Sequence, residues 1–309
     1  MYKTYVIAAD FSTRNNLNNN SDLELSLNKI NFFNYIIFNH KKVSSNVIKI
    51  RNPNLSFLNP MGKFPKVIRF IMRKQKNKTI NKLLNLVFKN NLFFMVPHNI
   101  RFFYYKSFLD QLNPEDFVFL VDSRDLIFQI SPNILSKTLY SSNEVHFFDE
   151  SYIQFKDKSV QIIGNSEGNQ KWLRYLINDD SYNLDDLKKE FIINTGCIAG
   201  SVKSLNFYLD YFCRKIKHNP NRFRILDQAV GNFFAYSRDV TPTVTRIHQN
   251  GEIVLNMCGV IEKKIELIEG ALFINENKIP IVHQYDRFAS YSPESGLKLN
   301  PSKVRYQNL

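Results

Sequence analysis

The chain has 309 residues, of which 44% are hydrophobic, 14% aromatic and 22% charged. That mixture excludes a mini-domain and a disordered chain, and supplies core material for one large domain or two packed ones. The net charge of +13 favours an anionic partner, and three widely spaced cysteines (Cys197, Cys213, Cys258) without a CxxC pair exclude a disulfide framework and a zinc site of the usual spacing.

In chain order, residues 4–9 predict a strand, and Asp10 interrupts the run too early for the apolar core of a secretory leader. No apolar run is long enough to cross a bilayer, so the expectation is a cytoplasmic protein, resting at most on the inner membrane face. Asp10 reads as the start of a turn, with a nucleotide contact as the other reading. The Asn-rich stretch 15–20 predicts a loop, residues 22–33 a helix, and residues near 35–38 and 46–50 short strands. Residues 65–90 predict an amphipathic helix. Around it, Lys63, Lys66, Arg69, Arg73, Lys74, Lys76, Lys78, Lys82 and Lys89 fall in a span with no acid. This span is read as a solvated basic face, or as an attractor of an anionic membrane surface or a phosphorylated substrate. No nucleic acid is expected, because no RGG, zinc-finger or RNP-like pattern accompanies the charge.

Residues 101–112 predict a helix with Arg101 and Tyr105 one turn apart on one face. After the turn signal Asn113-Pro114-Glu115-Asp116 comes the most informative stretch, Phe117-Val118-Phe119-Leu120-Val121-Asp122-Ser123-Arg124-Asp125. A continuous apolar run of this length predicts a strand buried on both faces. Open α/β sheets place their ligands at the carboxyl ends of such strands, where Asp122 and Asp125 stand. Carboxylates there suit Mg²⁺ or Mn²⁺ shared with substrate phosphates; the plainer reading is that Asp122 caps the turn.

A strand over 144–149 ends in Asp149 and Glu150, read either as a base or acceptor-sugar contact or as a solvated turn. Asn194-Thr195-Gly196 follows Phe191-Ile192-Ile193 and precedes a helix over 204–218. It is read as a strand-to-helix turn, where Gly196 lets backbone approach a ligand and Asn194 donates to a hydroxyl. Asp227 and Gln228 open a helix over 227–236, as an N-cap or as contacts to a polyhydroxylated substrate. Asn250-Gly251 predicts a hairpin between 245–247 and 253–255. His283, after Ile281-Val282, is read as a third metal ligand or a structural histidine, and Arg287 as a phosphate partner. Strands alternating with helices predict an α/β fold with a mainly parallel sheet flanked by helices.

Taken in order, the early strand, the Arg/Tyr/Lys helix, the strand ending in Asp122-Ser123-Arg124-Asp125, then Asn194-Thr195-Gly196, Asp227-Gln228 and His283 resemble GT-A-type glycosyltransferases. The resemblance implies a GT-A-like (Rossmann-like) catalytic domain over 1–287 followed by a tail over 288–309. It implies a metal-dependent transfer of a sugar from a nucleotide-diphosphate donor to a glycan or lipid-linked acceptor, with retention favoured over inversion. The metal, Mn²⁺ or Mg²⁺, would be held by Asp122, Asp125 and His283. By the same resemblance Arg101 would reach the diphosphate, Asp122 would face the ribose or the metal, and Asn194, Gly196, Asp227 and Gln228 would contact the donor sugar; Asp10 and Arg287 join the donor-binding candidates as read from the residues themselves. For the chemistry itself, Asp149, Glu150 and Asp227 are the candidate bases for inversion, and the leaving phosphate or the Gln228 region would assist retention. The competing readings are a non-catalytic carbohydrate- or membrane-binding module of the same fold and a metal-dependent nuclease or phosphotransferase.

Overall fold

The computed structural model describes residues 2–10, 21–39, 46–49, 97–151, 162–177, 184–219, 221–222, 224–237, 244–257, 265–287, 289–292 and 294–299. The basic span 63–89, the predicted helix over 65–90, the predicted loop over 15–20 and Cys258 lie outside the described residues.

A seven-stranded sheet organises the chain. Its strands are β1 (Thr4–Asp10), β2 (Tyr35–Asn39), β3 (Val47–Lys49), β4 (Phe117–Asp122), β6 (Glu144–Asp149), β7 (Ile193–Ser201) and β8 (Val244–His248), in the spatial order β3-β2-β1-β4-β7-β6-β8. Only β7 runs against its neighbours, so the sheet is mixed and mainly parallel. Around it lie α1 (Asp22–Lys29), α2 (Pro97–Leu109), α3 (Pro132–Leu139), α4 (Glu167–Ile177), α5 (Val202–His218) and α6 (Asp227–Tyr236).

The period-two alternation of β4 decides which layer meets which face. Val118 and Leu120 point into a core shared with Phe102, Tyr105, Tyr208, Phe212 and Phe234 of α2, α5 and α6. Phe102 stacks on Phe212 with ring centroids 4.2 Å apart. Phe117, Phe119 and Val121 point to the other side, against Leu23 and Leu27 of α1 and Leu135 and Leu139 of α3. Both faces are therefore closed, as the unbroken apolar run requires. Sliding β4 by one residue would exchange its two faces and carry Asp122 out of place.

A second sheet of three short strands packs on that second face: β5 (Leu126–Phe128), β13 (Ile281–His283) and β9 (Val254–Asn256), in the order β5-β13-β9. Its outer side covers a third core with Leu272, Ile274, Tyr285, Ala289 and Leu297. These come from a meander, β10 (Ile265–Ile268), β11 (Ala271–Ile274) and β12 (Asn277–Lys278), from the 3-10 turn Tyr285–Arg287, and from a hairpin, β14 (Ala289–Ser292) and β15 (Gly296–Leu299). No helix among the described residues is long and apolar enough to cross a membrane.

Several local expectations change. The predicted hairpin at Asn250-Gly251 does not form. Its turn exists, with Gly251 at φ 93° and its N–H donating to the Val254 carbonyl, but β8 joins β6 and β9 joins β13. Asn194-Thr195-Gly196 is not a turn either. It lies inside β7, whose nine residues are all buried, and α5 starts only at Val202, behind the Ser201 cap. The helix predicted over 101–112 is Pro97–Leu109, and the one predicted over 22–33 ends at Lys29.

Candidate metal centre

Asp122 ends β4, paired with Ala9 of β1, and the next residue ties the loop down: Ser123 Oγ donates to the Ala9 carbonyl at 3.1 Å. Asp125 directly precedes β5. Because β5 runs antiparallel to β13, Leu126 lies opposite His283, and the Gln284 N–H donates to the Asp125 carbonyl at 2.6 Å. A three-residue strand thus brings a histidine from late in the chain back to the acids at the end of β4.

The result is one compact group. His283 Nε2 lies 3.4 Å from Asp122 Oδ2 and 3.6 Å from Asp125 Oδ1, and one ligand atom from each residue falls within 4.8 Å of the others. In an octahedron with bonds of about 2.1 Å, neighbouring ligands are about 3 Å apart and opposite ones about 4.2 Å, so the group has the size of a cation shell. His283 is almost wholly enclosed, with 2% of its side chain exposed, while Asp122 and Asp125 keep 28% and 26%. One side of the group is protein and the other is open to solvent.

Gly196 makes room for this. A Cβ built there would stand 2.3 Å from His283 Cε1 and 2.5 Å from Nε2, so only glycine lets the ring lie against β7. The side chain of Asn194 is turned inward: its Oδ1 accepts from the Gly196 N–H at 2.7 Å, and its Nδ2 donates to Glu150 Oε1 at 2.6 Å. Asn194, Gly196, Glu150 and His283 are thereby brought together.

Arg101 is 5% exposed, and its guanidinium is held by protein groups. It pairs with Asp122 Oδ1 through one terminal nitrogen. Through the other it meets Asp227 Oδ2 at 2.6 Å and donates to the Thr195 carbonyl at 3.2 Å. Tyr105, one turn on, donates to the Val121 carbonyl at 3.2 Å, so both residues of that helix face serve the end of β4. Burial works against the Asp227 charge, but the Arg101 guanidinium reverses this and holds the carboxyl below its usual range. Arg101 pairs with both Asp122 and Asp227, and Asp125 adds a further carboxylate beside Asp122 and His283, a concentration of acids that suits a divalent ion.

Asp149 faces inward. Its Oδ1 accepts from the Ser151 N–H at 2.9 Å, the Ser151 hydroxyl at 2.5 Å and the Asn250 N–H at 2.9 Å. Burial nevertheless pushes its carboxyl up. Asp227 is the first residue of α6, behind Leu226 at the cap, and its Oδ1 accepts from the Gln228 N–H; Gln228 is half-buried. Asp10 ends β1 beside the same sheet edge and Arg287 ends a 3-10 turn two residues beyond Tyr285, but both side chains lie outside the described residues.

Asn250 and Asn256 escape the sequence reading. Asn256 Oδ1 lies 2.8 Å from His283 Nδ1, and Asn250 holds the Asn256 backbone on both sides. The available signal was a polar residue closing the apolar run Ile253-Val254-Leu255, one position beyond the segment the hairpin reading covered.

The donor set of two carboxylates and one imidazole, a buried inner wall and an open outer one fit Mg²⁺ or Mn²⁺ shared with an oxyanion. No protein-family model matches the chain, and no curated protein matches it. Among solved structures it is similar to galactosyltransferase LgtC, crystallised with donor and acceptor sugar analogues. The identity is 9% over 90% of this chain and 86% of that one, with a TM-score of 0.42.

Proposed function

We propose that the protein is a divalent-metal-dependent glycosyltransferase that moves a sugar from a nucleotide-diphosphate donor to a glycan or lipid-linked acceptor. The observation that carries this reading is the Asp122–Asp125–His283 group at the carboxyl edge of a mainly parallel sheet, half open to solvent. Mn²⁺ or Mg²⁺ held there would offset the charge that grows on the diphosphate as its bond to the sugar breaks. Asp122, clamped by Arg101, and Asp125, fixed through its backbone to Gln284, present oxygens towards the open side. Gly196 lies against the His283 ring, and Asn194 is held beside it by the Gly196 N–H and Glu150.

Retention is the favoured course. Asp149, Glu150 and Asp227, the carboxylates considered as a base for inversion, each accept hydrogen bonds from neighbouring protein groups. On the retaining course the sugar carbon releases the phosphate oxygen and bonds the acceptor oxygen on the same face, and the departing phosphate takes the acceptor's proton. The basic span 63–89 would draw in an anionic acceptor or membrane surface.

The test is thermal stabilisation by UDP, GDP, CMP and ADP, each with and without Mn²⁺. A ligand at a hundredfold excess over its Kd adds about 2.7 kcal/mol to the native state. A metal-dependent shift with one nucleotide supports the proposal and names the donor class. No shift with any nucleotide refutes it in favour of a binding module, and phosphoester cleavage without a sugar donor refutes it in favour of a nuclease.

A further inference from the structure

Asn256 is fully buried, ends β9 and stands beside His283 in the β9–β13 ladder. Its amide has only one orientation. Nδ2 lies 2.8 Å from the Asp149 backbone carbonyl, which can only accept, so the opposite end, 2.8 Å from His283 Nδ1, is the oxygen. An amide oxygen can only accept, so His283 Nδ1 carries a hydrogen. The other ring nitrogen, Nε2, is the one that faces Asp122 and Asp125.

The amide is itself held from behind. Asn250 Oδ1 accepts from the Asn256 N–H at 2.7 Å. Asn250 Nδ2 donates to the Asn256 carbonyl at 3.1 Å and the Ser151 carbonyl at 2.8 Å, and the Asn250 N–H donates to Asp149 Oδ1. Two asparagines and the end of β6 thus form a closed hydrogen-bonded relay between the large sheet and the small one. It ends on the imidazole.

From this relay we infer that Asn256 is a positioning residue: by accepting from His283 Nδ1–H, it fixes the tautomer and ring orientation that present Nε2 as the nitrogen ligand of the metal centre. The inference rests on the metal reading above and extends it to a residue that touches neither metal nor substrate. Partners of this kind orient metal-ligating histidines, and their removal typically costs about 10–100-fold in metal affinity. A tautomer with its hydrogen on Nε2 would have no lone pair to offer the ion.

Two measurements on the full chain test it. First, ¹⁵N spectra of the histidine-labelled, metal-free protein, recorded at about pH 9 where an ordinary imidazole is neutral, report the tautomer. The His283 signal is assigned by its loss in His283→Gln. The expected result is hydrogen on Nδ1; hydrogen on Nε2 overturns the inference, whatever the protein does with metal. Second, Mn²⁺ titration compares wild type with Asn256→Leu and Asn256→Asp. Leucine removes the acceptor and should lower affinity about 10–100-fold, whereas aspartate keeps an acceptor oxygen and should retain most of the affinity. A merely structural asparagine would weaken folding in both variants without this split. Wild-type affinity in Asn256→Leu overturns the positioning role. A wild type that takes up no Mn²⁺ while showing the Nδ1–H tautomer overturns the metal reading, and the ligand role with it, and is thereby distinguished from a wrong assignment of the asparagine.

Discussion

Gly196→Ala should damage the metal centre without altering any of its three candidate ligands, Asp122, Asp125 and His283. The added Cβ would meet His283 Cε1 at 2.3 Å, Nε2 at 2.5 Å and Asn194 Oδ1 at 2.9 Å. Ordinary carbon contacts begin near 3.5 Å, so the ring or the strand must give by about 1 Å. The strand has little freedom, because β7 is bonded to β4 on one side and β6 on the other. The ring must therefore move, and the Asn256 contact to its far nitrogen is broken or stretched. Overpacking of this kind costs about 1–3 kcal/mol, and a lost hydrogen bond about 0.5–1.5 kcal/mol more. Urea unfolding should show a loss of about 2–4 kcal/mol, and Mn²⁺ titration a fall in affinity of at least about tenfold. Gly168→Ala is the control: its Cβ would meet nothing closer than 3.6 Å, so it should leave Mn²⁺ affinity unchanged. Wild-type stability and Mn²⁺ affinity in Gly196→Ala would refute the packing of His283 against β7.

Arg101→Met should leave Asp227 buried without its cation and cost about 3–5 kcal/mol in urea unfolding; a variant as stable as wild type would refute the clamp. The Arg101 effect on Asp227 also has a pH signature. A carboxyl held below its unfolded value contributes stability above about pH 4 that is lost as pH falls through the depressed native value. That acid limb should be missing in Arg101→Met. His146 behaves differently. Burial, with His248 bonded to it at 2.9 Å, pushes its imidazole down to about 4. The unfolded chain then binds a proton that the native state refuses, so stability should fall as pH drops from about 6.5 towards 4; urea midpoints measured against pH should lose this slope in His146→Gln. Asp125→Asn should abolish Mn²⁺-dependent nucleotide stabilisation while leaving the circular dichroism spectrum unchanged, and retained metal dependence would remove Asp125 from the ligand set.

Asp122 and Asp125 stood out because the apolar run Phe117–Val121 that they close matches a buried strand in length and continuity, and His283 because it follows the strand-like pair Ile281-Val282. The parallel-sheet rule then says which end of β4 faces a ligand. That His283 could join the acids was one reading of the sequence, but the route was not legible, since it depends on β5, three residues with no periodic signal, pairing with a strand more than 150 residues away. Asn194-Thr195-Gly196 read as a turn because those residue types favour turns, and the burial of the whole of β7 overrode that preference. The turn at Gly251 was read correctly as a turn. The partners of its flanking strands, chosen by β6 and β13, lie outside any local window. The resemblance gave Arg101 a diphosphate contact, while its pairing with Asp122 and Asp227, a product of tertiary packing, was not legible.

The most direct test of the central claim is anomalous diffraction from crystals of the full chain grown with Mn²⁺. The account predicts one anomalous peak bounded by Asp122, Asp125 and His283 Nε2, at bond lengths of about 2.0–2.3 Å. Full occupancy at any other position, or no peak at saturating Mn²⁺, would contradict it.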